Sequence, residues 1–153
     1  MNAMTVLRRC READEDMRQL RQHIGRRRDT LTGAGGLQVG NPVIRETGDP
    51  DKLGRVLADI DALERQLEER RQRHACEAAA ACVLLDSLPG TVADVLHGYY
   101  VRGESTAVIA RRLKYTASYV RRLKRDGEQL LAAVSAEEVA AALPKWYTEG
   151  GKG

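Results

Sequence analysis

Between Ser105 and Arg125 the chain reads STAVIARRLKYTASYVRRLKR, a stretch in which apolar residues at helical spacing break once and then resume behind a row of cations. Val108, Ile109 and Leu113 fall on one side of a first helix, and Tyr119, Val120 and Leu123 on one side of a second, following the three-and-four spacing of amphipathic helices. Ser105 and Thr116 stand at the two N-cap positions, each with a hydroxyl able to accept from a backbone N–H that has no partner within its helix. The break falls at Lys114-Tyr115, and Ala110 is small enough for the second helix to cross closely over the first. This spacing predicts two short helices sharing one small core.

The outward side of that pair carries the charge. Arg121, Arg122 and Arg125 follow the second cap, Arg111, Arg112 and Lys114 precede it, and only Glu104 and Asp126 closely oppose them. A run of cations is usually no more than a solvated surface. Placed on the second half of a capped two-helix unit, it points instead to double-stranded DNA as the partner. The N-terminal part of such a second helix enters the major groove, which makes Ala117, Ser118, Arg121 and Arg122 the base-edge candidates. Arg111, Arg112, Lys114, Thr116, Lys124 and Arg125 are then the phosphate-positioning candidates.

Elsewhere the pattern is that of long helices. Cys10, Ala13, Met17, Leu20 and Ile24 recur at intervals of three and four, and Leu53, Val56, Ile60, Leu63 and Leu67 repeat the spacing. The second pattern continues less cleanly through His74 and an alanine-rich stretch to Leu84 and Leu85, with Asp51 placed to help cap its start. The segment 31–50 is dense in Gly and Pro and reads as a flexible loop. Gly33, Gly35 and Gly36 within it lack both the preceding strand and the Lys-Ser/Thr pair of a nucleotide cradle. Arg70 and His74 mark either a polar layer or the point where the helix leaves its partner. The seam serves closure within one chain and pairing between two copies alike.

Leu88-Pro-Gly ends the second long helix, and Thr91 is placed to cap a successor packed through Val92, Val95, Leu96 and Tyr99. Ser135 and Glu138 read as a capping box opening a short helix that Pro144 closes, after which Trp146 and Tyr147 dock back and the Gly-Gly-Lys-Gly tail is mobile. With no phenylalanine, 4% aromatics and abundant Ala, Leu, Arg and Glu, the expected class is all-α. Its expected organisation is a long antiparallel, coiled-coil-like helical hairpin over 4–87, a compact helix-turn-helix head over 88–134, and a short helix and tail over 135–153.

Composition also excludes. The formal net charge is only +3, so affinity for a polyanion must come from how charge is distributed. Cys10, Cys76 and Cys82 form an odd set without framework spacing, which suits reduced thiols in a cytoplasmic setting. His74, Cys76 and Cys82 lack the paired Cys-x-x-Cys or second ligand cluster of a zinc site, so no metal and no cofactor is expected. No apolar stretch approaches bilayer length, which argues against a membrane partner. Acidic residues are scattered over helical surfaces and no serine or cysteine has a nucleophile motif around it, so no catalytic residues are expected.

From Asp86 to Leu131 the chain resembles the region 4 helix-turn-helix of bacterial sigma factors, through Leu88, Val95-Leu96, Tyr99-Tyr100-Val101-Arg102-Gly103, Ser105, Ile109-Ala110, Leu113, Val120 and Leu131. The wider layout over residues 5–131 is similar to a family of small phage and prophage proteins described as sigma-like or late-gene transcription regulators. That layout comprises an N-terminal charged helix, a loop ending Asp49-Pro50-Asp51-Lys52-Leu53-Gly54, the Ile60-Asp61-Ala62-Leu63 helix and Tyr119-Val120-Arg121-Arg122-Leu123 with Tyr115. Family members usually carry glycine or asparagine near the turn and glutamate before the Ile-Ala pair, where this chain has Lys114 and Val108. Gly127 and Glu128 replace a common Ala-Leu pair.

The resemblance implies a DNA-binding transcriptional role. RNA polymerase is then a second expected partner, and the hairpin an element for self-association, as a homodimer, or for contact with the transcription machinery. Two other classes fit the same sequence. One is a DNA-packaging component of the small terminase type, which a ring of many copies in solution would indicate. The other is a protein-interaction module whose cations face an acidic partner.

Overall fold

The structure is a computed structural model that describes residues 1–32 and 50–150. The chain is all-α. Its helices are α1 (Ala3–Thr32), α2 (Pro50–Leu85), α3 (Gly90–Leu96), α4 (Thr106–Leu113), α5 (Ala117–Ala132), α6 (Ala136–Ala142) and α7 (Lys145–Gly150). A single π-helical turn, His97–Val101, follows α3. Of the connector expected over 31–50, residues 33–49 lie outside the described residues, and the glycine-rich reading of Gly33, Gly35 and Gly36 lies there with them. So do the last three residues of the tail.

Two compact units make up the chain: Met1–Glu15 with Gln72–Gly153, and Asp16–Arg71. The first is built around one apolar core to which nearly every element contributes. Val6, Leu7 and Cys10 come from α1, Ala80, Ala81, Leu84 and Leu85 from α2, Val95 and Leu96 from α3, Ile109 from α4, and Val120 and Leu131 from α5. Val139, Leu143 and Tyr147 join the same core. Tyr147 is additionally fixed by donating its hydroxyl hydrogen to Glu77 Oε2 at 2.6 Å. Trp146, also expected to dock back, is instead half exposed and meets the Tyr147 ring edge-on at 6.0 Å.

Helix ends in this unit follow local hydrogen-bond chemistry. Ser105 Oγ accepts from Val108 N at 3.2 Å and Thr116 Oγ1 from Tyr119 N at 3.1 Å. Ser135 and Glu138 form the reciprocal capping box, satisfying two donors that a helix start otherwise leaves open. Thr91 does not cap α3. That helix begins one residue earlier, behind Pro89, with no side-chain cap bond, as suits a proline, whose fixed φ already points the chain into a helix. Asp51 likewise sits inside the first turn of α2, where a carboxylate favours the positive end of the helix dipole.

Close approach of α3 and α5 depends on Gly127. A Cβ there would lie 2.5 Å from Val92 Cγ1 and 2.6 Å from Leu96 Cδ1, so the bare backbone of a glycine is what lets these helices touch.

The second unit pairs parts of α1 and α2. Arg27 meets Asp59 at 2.8 Å, Arg28 meets Glu64, and Arg70 Nη1 donates to the Asp16 carbonyl at 3.2 Å. Asp16 meets Arg70 whereas Arg27, eleven residues on, meets Asp59, so the two segments run antiparallel. Among the described residues of this unit, only Leu20, Ile24 and Ile60 are buried. Val56, Leu63 and Leu67 are half-buried, while Leu53 and Leu57 stay 44% and 46% exposed.

Candidate nucleic-acid interface

The sequence-nominated residues lie on α4, the three-residue connection Lys114–Thr116, and α5. On α5 the buried positions are Val120, Leu123, Gly127 and Leu131, with Ala117 half-buried against the same core. At about 100° per residue, this inward stripe leaves Ser118, Arg122 and Arg125 on the opposite pole and Arg121 on one flank. All four are exposed. Arg111 and Lys114 are exposed beside them. None of these five cations forms an ion pair among the described residues.

Two other nominated cations are engaged by the protein itself. Arg112 donates through Nε and Nη2 to both carboxylate oxygens of Glu104, at 3.1 and 2.8 Å, and this pair rests over Gly98, where a Cβ would come within 2.8 Å of both groups. Lys124 Nζ donates to Glu128 at 3.2 Å and stands 4.4 Å from the centre of the Tyr99 ring. A cation held by a carboxylate offers a phosphate less, since the bond must be exchanged. Thr116 spends its hydroxyl on the α5 cap, which positions the helix rather than a ligand.

Sequence spacing placed Tyr119 and Val108 toward the core and Ala117 toward the base edges, and the burial pattern reverses these assignments. Tyr119 is 41% exposed and Val108 38%, while Ala117 turns against the core. On α4 the buried face is Ile109 and Ala110.

Lys114 adopts φ 61° and ψ 42°, the left-handed conformation that ends α4. Glycine or asparagine is the usual occupant of this conformation, because a Cβ is strained there. The chain keeps a lysine and so presents a charge at the joint.

Beside α5 lies a basin of about 500 Å³ lined by Arg11, Tyr99, Ser105, Arg121, Lys124 and Arg125, among others. Arg11 and Tyr99 were not nominated. The Arg11 guanidinium sits 3.7 Å above the Tyr99 ring, and its Nη1 donates to the Tyr99 carbonyl, so α1 adds a cation to the same side of the head. Tyr100, edge-on to Tyr99, donates its hydroxyl hydrogen to Glu128. Burial first, then that hydrogen bond, pushes its phenol well above the ordinary range. Burial, followed by Arg102 and Arg112, holds His97 below the usual imidazole range, so it adds no positive charge at neutral pH.

His74, open between two roles in the sequence, lies with Nε2 3.1 Å from the Val101 carbonyl and 3.9 Å from buried Asp14. Among the described residues no three His, Cys, Asp or Glu side chains converge as a metal site. None of the described helices is long and apolar enough to cross a membrane. No family model, curated protein or solved structure matches this chain.

Proposed function

We propose that this chain is a non-enzymatic, phage-type transcription regulator whose α4–α5 pair binds double-stranded DNA. The observation that carries this reading is the ridge of exposed cations without ion-pair partners among the described residues: Arg111, Lys114, Arg121, Arg122 and Arg125. Arg121 and Arg122 follow the cap of α5 by one to two turns, where a recognition helix presents side chains to the major groove. The sigma-like sequence pattern from Asp86 to Leu131 supports a promoter as the target and RNA polymerase as a neighbour. In the unit Asp16–Arg71, exposed Leu53 and Leu57, one helical turn apart, supply apolar surface for self-association or for docking on the transcription machinery.

Titration against duplex fragments at several salt concentrations tests the reading. With Arg111, Lys114 and Arg125 on phosphates the slope in log affinity against log salt is about −2.7, so affinity falls about 40-fold between 50 and 200 mM, and about 500-fold if Arg121 and Arg122 also clamp phosphate. Arg125→Ala removes one contact and flattens the slope by about one. Arg122→Ala relaxes preference at a single base pair if it reads guanine, and weakens all sequences alike if it clamps phosphate. Absence of binding at low salt refutes the DNA role.

A further inference from the structure

We infer that Tyr119, braced by Tyr115, reads the C5 methyl group of a thymine in the major groove; the inference rests on the DNA-binding reading above and extends it from charge to base identity. Its starting point is the reversed burial on the first turn of α5. Ala117, the apolar side chain the sequence offered to the bases, faces the core. Tyr119, two residues on, takes its place outside. The ring is 41% exposed although it belongs to a helix whose inward stripe could have absorbed it.

Three features make this ring a reader rather than stray surface. First, it is positioned: the Tyr119 backbone N–H is the group that donates to the Thr116 cap, so its Cα is fixed at the start of the helix. Second, the ring is braced. Tyr115, itself 38% exposed, meets it edge-on with centroids 5.0 Å apart and planes at 85°, the arrangement in which the positive edge of one ring faces the negative face of the other. A braced ring loses little freedom on binding. Third, it has the right neighbours. Arg122 lies one turn further along the helix, and Ser118 directly before it, both exposed.

In the major groove only thymine offers an apolar group, and an apolar side chain among cations is the complement to it. A ring placed there distinguishes thymine from cytosine, which carries only a hydrogen at C5 beside its amino donor. The arginines alone would favour guanine without this discrimination.

The experiment begins with selection of duplexes from a random library by the full chain at low salt. The enriched duplex is then resynthesised with deoxyuridine replacing one thymine at a time, which removes a single methyl group. The wild-type chain is expected to lose affinity about four-fold at one position, the equivalent of one buried methyl. Tyr119→Phe retains this discrimination. Tyr119→Ser binds the thymine and uracil duplexes equally, with helix content by circular dichroism matching wild type.

Indifference of the wild type to every methyl, an enriched motif without thymine, or unchanged discrimination in Tyr119→Ser overturns the inference while leaving DNA binding intact. Failure to enrich any duplex removes the DNA-binding reading and this inference with it.

Discussion

The two units of this chain are held by different physics. Around α3, α4 and α5, helices as short as seven residues persist because their inward side chains, among them Val95, Leu96, Ile109 and Val120, are completely buried, with side-chain caps added on α4 and α5. In Asp16–Arg71 far longer stretches of helix meet through three buried residues and exposed ion pairs. Length stabilises a helix less than a buried face does. The first unit can therefore hold a fixed array of charges, whereas the second leaves Leu53 and Leu57 at its surface.

Truncating a core side chain is the strongest way to break this contrast. Ile109→Ala is expected to destabilise the first unit by about 2–5 kcal/mol, against about 0.5 kcal/mol or less for Leu57→Ala, both read from urea unfolding. Equal losses would mean that Leu57 is covered in solution, which would itself reveal an interface. Gly127→Ala comes next. The added methyl must displace Val92 and Leu96, and overpacking of that kind costs about 1–3 kcal/mol despite the better helix propensity of alanine.

Alkaline titration sharpens the comparison, because among the described residues the strongly shifted groups lie in the first unit. Burial, then the hydrogen bond to Glu77, pushes the Tyr147 phenol up to about 12. Burial, then the charge of Glu77, raises the Cys10 thiol to about 12. Both groups hold their protons more tightly when folded, so their stabilisation is complete below their ordinary values of 10.0 and 9.0 and is lost as pH climbs towards about 12. Unfolding followed from pH 8 upward is expected to show this loss, and Tyr147→Phe to flatten its upper part. The smallest effect belongs to the other unit. Asp59→Ala breaks the exposed pair with Arg27 and is expected to change stability by about 0.5 kcal/mol or less, vanishing in high salt.

The caps of α4, α5 and α6 were legible in the sequence because each rests on a bond between one hydroxyl and an N–H three residues away, whereas α3 starts behind Pro89 and not at Thr91. Ser105, Thr116 and Ser135 needed nothing further. Facing was harder. A short helix offers one trio of apolar residues, and Val108, Ile109 and Leu113 satisfy the spacing even though the buried face is turned by one residue toward Ala110. The longer α5 contains the answer in Val120, Leu123, Gly127 and Leu131, but reading it required treating a glycine as an inward position.

The candidate site was legible to a similar degree. Exposed Arg111, Lys114, Arg121, Arg122 and Arg125 follow from the cation pattern, and the Lys124–Glu128 pair follows from four-residue spacing. The grip of Glu104 on Arg112 spans a turn and eight residues, and Arg11 reaches Tyr99 across 88 positions of sequence. No local pattern encodes either. The π-helical turn at His97–Val101 had no sequence signal that we can identify.

Because the first unit draws on Met1–Glu15 as well as on everything after Arg71, its architecture is discontinuous along the polypeptide. A fragment starting at Gly90 would carry all the nominated arginines of α4 and α5 yet lack Val6, Leu7, Cys10 and the α2 alanines that line the shared interior. On the ribosome the earliest residues must wait for the latest ones before that interior can close. The α4–α5 pair is thus not a detachable cassette, and excising it by the boundaries of its sequence motif would leave it without a floor.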